Sequence, residues 1–184
     1  MRTSILTCLF ALFIPVLLMA QEVEVSSGRK GARVVGDILM LTLPAADLAI
    51  TLVNRDWEGL AQGSLSGVTA VSSTFLLKSI IDKQRPDKSD YNSFPSMHSA
   101  ISFAGAAFLQ RRYGWKWGAP AYAVAAYVGW SRVYGKKHDW WDVVAGAAIG
   151  IGSVYAFTRP LGSSAWITCG PVTTTKSTVL VTRI

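Results

Sequence analysis

Apolar runs alternate with short polar segments along this chain, and that alternation limits the fold more than any other feature. The runs cover residues 34–53, 60–81, 99–110, 118–130 and 141–158. They are rich in Ala, Gly, Ser and Thr, the small residues that let helices pack closely. The body is therefore read as all-α, a bundle of about five to six helices counting the N-terminal segment. A comfortable membrane span needs about 20 residues. The first two runs reach that length, while 99–110 and 118–130 fall short. Hydrophobic residues make up 51% of the chain and charged residues 16%, against ~25% charge in a typical soluble domain. That balance favours a membrane-embedded bundle over the alternative, a compact exported helical domain. The net charge is +7. Its basic residues form no long run, and the rest is too apolar for a nucleic-acid reader. Anionic lipid or phosphate is the expected partner, and nucleic acid is not.

Residues 1–20 read as a signal peptide or an N-terminal membrane anchor, with a cleavage-like boundary after Ala20. Residues 21–184 then form a single helical domain. Its first part, 21–33, is polar and expected at the surface. Asp37 and Asp47 interrupt the run 34–53, where a buried carboxylate is costly unless paired. They are read as structural or mutually solvating. Pro44 is expected to kink that helix, and 54–59 is a polar turn. Cys8 and Cys169 offer no useful internal disulfide and no thiolate metal site. The 161–184 tail, rich in Thr and Val, reads as a short extended segment without an assignable role.

In an up-and-down bundle, segments 82–98 and 131–140 emerge on one face. Segments 54–59 and 111–116 emerge on the other. Arg111, Arg112 and Lys116 mark the cytoplasmic side by the positive-inside rule, so the first face points to the periplasm. That face carries both of the chain's histidines, His98 and His138. It also carries Arg85 and Arg132, with Lys78 one helix end away. Lys78 and Arg85 are seven apart, so a continuing helix would put them on one side. Asp142 follows His138 by four, close enough at a helix start to take a hydrogen bond from one ring nitrogen and leave the other free to attack. Ser96 and Met97 stand directly before a helix, whose N-terminal N–H groups favour an anion. Such a cage of cations around two imidazoles suits a phosphoryl group. No carboxylate cluster with ligand spacing accompanies it, so no metal and no cofactor is expected. Taken singly, each residue has an ordinary reading: Ser96 a helix cap, Lys136 and Lys137 solvated charge, Trp140 and Trp141 interfacial or packing aromatics.

Together the motifs read K-x6-R-P at 78–86, P-S-x-H at 95–98 and S-R-x5-H-x3-D at 131–142. In this set and order the sequence resembles the type 2 phosphatidic acid phosphatases over about residues 60–160. That superfamily also includes bacterial acid phosphatases and vanadium-dependent haloperoxidases. One departure is Met97, where the family usually has glycine; a backbone N–H remains, but the side chain narrows the pocket. The resemblance implies His138 as the nucleophile, Asp142 as its orienting acid, and His98 as the acid and base for the leaving group and water. It implies Lys78, Arg85, Ser96, Met97 and Arg132 as the phosphate cradle. Pro86 and Ser131 belong to the pattern as positional residues. The implied activity is metal-independent hydrolysis of a lipid phosphate monoester or pyrophosphate at the periplasmic face of a bacterial inner membrane. The alternatives are a soluble exported acid phosphatase and a non-catalytic lipid-binding or transport protein. The particular substrate and the oligomeric state stay open.

Overall fold

A computed structural model describes residues 28–162. Five helices follow one another: α1 Gly28–Val53, α2 Trp57–Ile80, α3 Met97–Tyr113, α4 Trp115–Tyr134 and α5 Trp140–Phe157. They form an up-and-down bundle, and among the described residues no strand forms beyond a lone bridge between Lys83 and Asn92. The segment 1–20, both cysteines and tail residues 163–184 lie outside the described residues.

The helices outrun their apolar stretches at several ends. In α2, hydroxyls that could compete with the backbone instead bond back to it, as in Ser66 to the Gln62 carbonyl and Thr74 to the Ala70 carbonyl. The expected surface segment 21–33 is helical from Gly28 onward, so Lys30 and Arg33 belong to α1. The expected turn 54–59 shortens to 54–56. Asp56 caps α2 by accepting from the Gly59 N–H at 2.9 Å. α1 continues through Pro44. A single residue, Gly114, separates α3 from α4, at φ 90°, a conformation that favours glycine.

α3 is the centre of the bundle and packs most extensively on α4 and α5. Its small residues Ser99, Ala100, Ser102, Ala106 and Ala107 are fully buried. α5 comes so close to α3 that a Cβ on Gly146 would collide with the Ser96 carbonyl, and one on Gly150 with the Ala100 carbonyl. Likewise, Gly36 lets α1 lie against Ser131 and Arg132 on α4.

At the end of the bundle away from the histidines, Arg112 Nη2 and Nε donate to Asp56 Oδ1 and Oδ2 at 2.5 and 2.7 Å. The Tyr113 hydroxyl donates to Oδ2 at 2.8 Å. Arg112 is 4% exposed. Arg112, read with Arg111 and Lys116 only as a marker of the cytoplasmic side, turns inward to a forked partner. These bonds, Arg112's first, hold the Asp56 carboxyl down at about 2.

Large apolar side chains stay on the outside: Leu41 and Leu48 on α1, Val68, Phe75 and Leu76 on α2, Val144 on α5. Exposed aromatics flank them, Trp57 and Trp115 at one end, Trp130, Tyr134, Trp140 and Trp141 at the other. An apolar band between two aromatic girdles is what a bilayer selects. α1 and α5 are long and apolar enough to cross a membrane.

The buried pair sets a test of the fold. Arg112→Ala leaves Asp56 buried and unpaired, which costs about 3–5 kcal/mol. The thermal midpoint in detergent should fall sharply, and adding Asp56→Ala should recover part of the loss.

Candidate active site

Two loops and three helix ends meet at the other end of the bundle. The loop after α2 folds on itself through Lys83 N–H to the Tyr91 carbonyl, at 3.0 Å, and Ser93 N–H to the Lys83 carbonyl, at 2.9 Å. It reaches the α4–α5 loop through Asp87 N–H to the Lys136 carbonyl at 3.1 Å. Lys137 reinforces that joint by pairing with Asp87 at 2.6 Å. The Ser96 N–H donates to the Asp142 carbonyl at 2.9 Å, tying the start of α3 to the first turn of α5. The sequence expectation that segments 82–98 and 131–140 share a face is met in these contacts.

A cavity of about 520 Å³ opens there, with Lys78, Arg85, Met97, His98, Arg132 and His138 in its wall. Each arrives by a different route. Lys78 sits in the last turn of α2 and donates to the Asn92 carbonyl at 2.6 Å. Arg85 stands in the loop, since α2 ends at Ile80 and no continuing helix joins it to Lys78. Its Nε is buried without a hydrogen-bond partner. Met97 and His98 open α3. Arg132 comes from the last turn of α4 and is 4% exposed.

Ser96 is placed differently from the expectation. It is fully buried, and its hydroxyl caps α3 by accepting from the Ser99 N–H and hydroxyl. It is not among the residues that line the cavity, and its hydroxyl sits at the helix end.

His138 precedes α5 and is 5% exposed. Its Nδ1 lies 3.5 Å from Asp142 Oδ2, inside ion-pair range but without a hydrogen bond. The expected short bond is not formed; Asp142 is held by three other donors. Its Oδ1 accepts from Lys83 Nζ at 2.7 Å. Its Oδ2 accepts from the Ser93 hydroxyl at 2.5 Å and the Asp139 N–H at 3.1 Å. The last contact is half of a capping box with Asp139. Such catalytic contacts are often long without substrate. Burial pushes the His138 imidazole down to about 4, Lys78 and Arg85 push the same way, and Asp142 opposes them. At neutral pH the ring is therefore uncharged, with a free lone pair.

Three further residues were not read from the sequence as part of the site. Lys83 spans Asp139 and Asp142 at 2.5 and 2.7 Å, and the two carboxylates raise its pKa against the pull of burial. Ser93 holds the other carboxylate oxygen. Asp37, read as structural or solvated, stands in the cavity wall instead. Its Oδ1 is 2.8 Å from His98 Nε2 and accepts from Arg132 Nη1 at 2.7 Å. Asp47 is separate, beside Gly105 on α3. The signal for Asp37 was present: a carboxylate in an apolar run must find a partner. Nothing in sequence marked which one. Among the described residues no group of three His, Cys, Asp or Glu side chains comes together.

Residues 63–163 match the family model described as the PAP2 superfamily. The chain belongs to that superfamily. The family covers α2 through α5 and leaves α1 outside. Among curated proteins, the chain is 27% identical to a lipid A 4'-phosphatase of Helicobacter pylori over 85% of each chain. It is 40% identical to a lipid A 1-phosphatase of Porphyromonas gingivalis over 36% of this chain and 16% of that one. No solved structure matches significantly. The family and the two apolar helices together fit a membrane protein.

The environment of His138 can be checked directly. Its ring should titrate by NMR with a midpoint near pH 4, and not near the ~6.5 of an unperturbed histidine. Lys83→Met should move that midpoint, because it frees the carboxylate beside the ring.

Proposed function

We propose that the chain is a metal-independent phosphatase that hydrolyses a lipid phosphate monoester or diphosphate at the periplasmic membrane face, through a phosphohistidine. The convergence of His98, His138, Lys78, Arg85 and Arg132 on one cavity carries this reading. The family supports phosphate hydrolysis, and the two similar proteins named above support a lipid substrate. The exposed apolar band favours a membrane setting over a soluble exported enzyme.

The neutral His138 attacks phosphorus through its free nitrogen, forming an N–P bond as the P–O bond to the leaving group breaks. His98 gives the leaving oxygen its proton. In the second step His98 takes a proton from water, whose oxygen attacks phosphorus and displaces His138. Charge on the transferring oxygens meets Lys78, Arg85 and Arg132, and the first N–H groups of α3, Met97's included. These groups supply the positive charge that a metal would otherwise provide. Asp142, anchored by Lys83, Ser93 and the capping box, steadies the cation formed on His138. Asp37 holds the His98 ring and Arg132 in register.

Phosphate release from purified lipid phosphates tests the reading. His138→Ala should abolish release, and chelator should leave the wild type unaffected. Arg132→Lys should lose about 10²-fold in kcat, since a forked donor becomes a point charge. Full turnover by His138→Ala would remove the nucleophile and leave a binding protein as the better reading. The acid limb of kcat/KM should also fall near pH 4, because protonating His138 below that value removes the attacking lone pair.

A further inference from the structure

The cavity holds more positive charge than one phosphate needs. Lys30, Arg33 and Lys137 line it in addition to Lys78, Arg85 and Arg132. On the negative side, Asp37 is engaged with Arg132 and Asp87 with Lys137, while Asp90 stands 3.8 Å from Arg85. Lys30 and Arg33 make no ion pair with any described residue. A phosphate monoester brings at most two negative charges, which Lys78, Arg85 and the α3 N-terminus already face. Space is also in excess. A phosphoryl group displaces on the order of two or three waters at about 30 Å³ each, against about 520 Å³ here.

The backbone and the stem of Arg33 are packed in place. Its carbonyl accepts from Arg132 Nη2 at 2.6 Å. Its stem fills the space over Gly135, where a Cβ would come within 2.5 Å of Arg33 Cγ. Lys30, Arg33 and Asp37 follow at spacings of three and four, so they share one face of α1. That helix lies outside residues 63–163, so the family match does not assign this wall.

We propose that Lys30 and Arg33 form a second anion subsite. It takes a phosphoryl group carried by the same substrate beside the phosphate under attack, either the distal part of a diphosphate or a second phosphate ester on the headgroup. The inference rests on the phosphatase reading above and names the class of substrate: lipids with two phosphoryl groups in reach of each other.

The test uses the full-length protein in detergent and two non-hydrolysable probes, methylphosphonate and methylenediphosphonate, as inhibitors of lipid monophosphate hydrolysis. The wild type should bind the diphosphonate at least about 10-fold more tightly than the monophosphonate. Lys30→Ala/Arg33→Ala should close most of that gap. A gap that survives the double variant overturns the subsite, and so does equal weakening of both probes, the mark of long-range charge alone. A second arm compares kcat/KM on a lipid diphosphate, on a glycolipid with two separate phosphates, and on each one's monophosphate counterpart. Selectivity lost on the first assigns the subsite to a diphosphate, and on the second to a separate ester; selectivity lost on neither overturns it. Thermal midpoints confirm that the variants fold. The probe comparison can be repeated by calorimetry on His138→Ala, so a failed phosphatase reading and a failed subsite give different results.

Discussion

The structure depends on how closely α5 can lie on α3. At Gly146 and Gly150 any side chain would strike the α3 backbone. With that obstacle gone, the N-termini of the two helices sit side by side, and the Ser96 N–H reaches the Asp142 carbonyl. One helix start carries His98 and the other follows His138. Moving α5 outward by the width of a methyl group would separate the two imidazoles and break the tie between their loops. Steric permission at two glycines thus comes before any electrostatic arrangement of the site.

The charged groups then divide into two layers. Those at the cavity face, Arg85 with its unpartnered Nε and Lys78 with a single carbonyl partner, retain donors for an incoming anion. Those behind it are saturated. Asp142 has three donors on two oxygens, and the Ser96 hydroxyl accepts from Ser99 at the start of α3. A buried polar group without a partner is costly, and the free Arg85 Nε lies in the cavity wall, where a ligand can satisfy it. The saturated layer gives the site its rigidity, and the open layer gives it its appetite for anions.

Much of the fold was legible in the sequence, because five apolar runs separated by polar loops leave little choice but an up-and-down bundle. The site was legible to the extent that its residues fell in motifs: Lys78, Arg85, His98, Arg132 and His138 do line one cavity. What stayed hidden were the contacts that only three-dimensional packing creates. Lys83 and Ser93 look like ordinary loop residues until the loop folds over Asp142. Asp37 lies 61 positions from His98 and 95 from Arg132, and no periodicity relates them. Arg112 looked like a membrane-edge charge because local sequence does not reveal that Asp56 waits across the bundle. Ser96 was read both as a helix cap and as part of the phosphate cradle, and its hydroxyl caps α3.

The grip of Arg132 on α1 has a mechanical side. One guanidinium holds both the Asp37 carboxylate and the Arg33 carbonyl, one turn apart on a helix whose outer flank is apolar. A tilt of α1 would pull on those two bonds and on the contact between Asp37 and His98. The helix with the apolar flank and the wall of the cavity are thus tied together through Arg132 and Asp37.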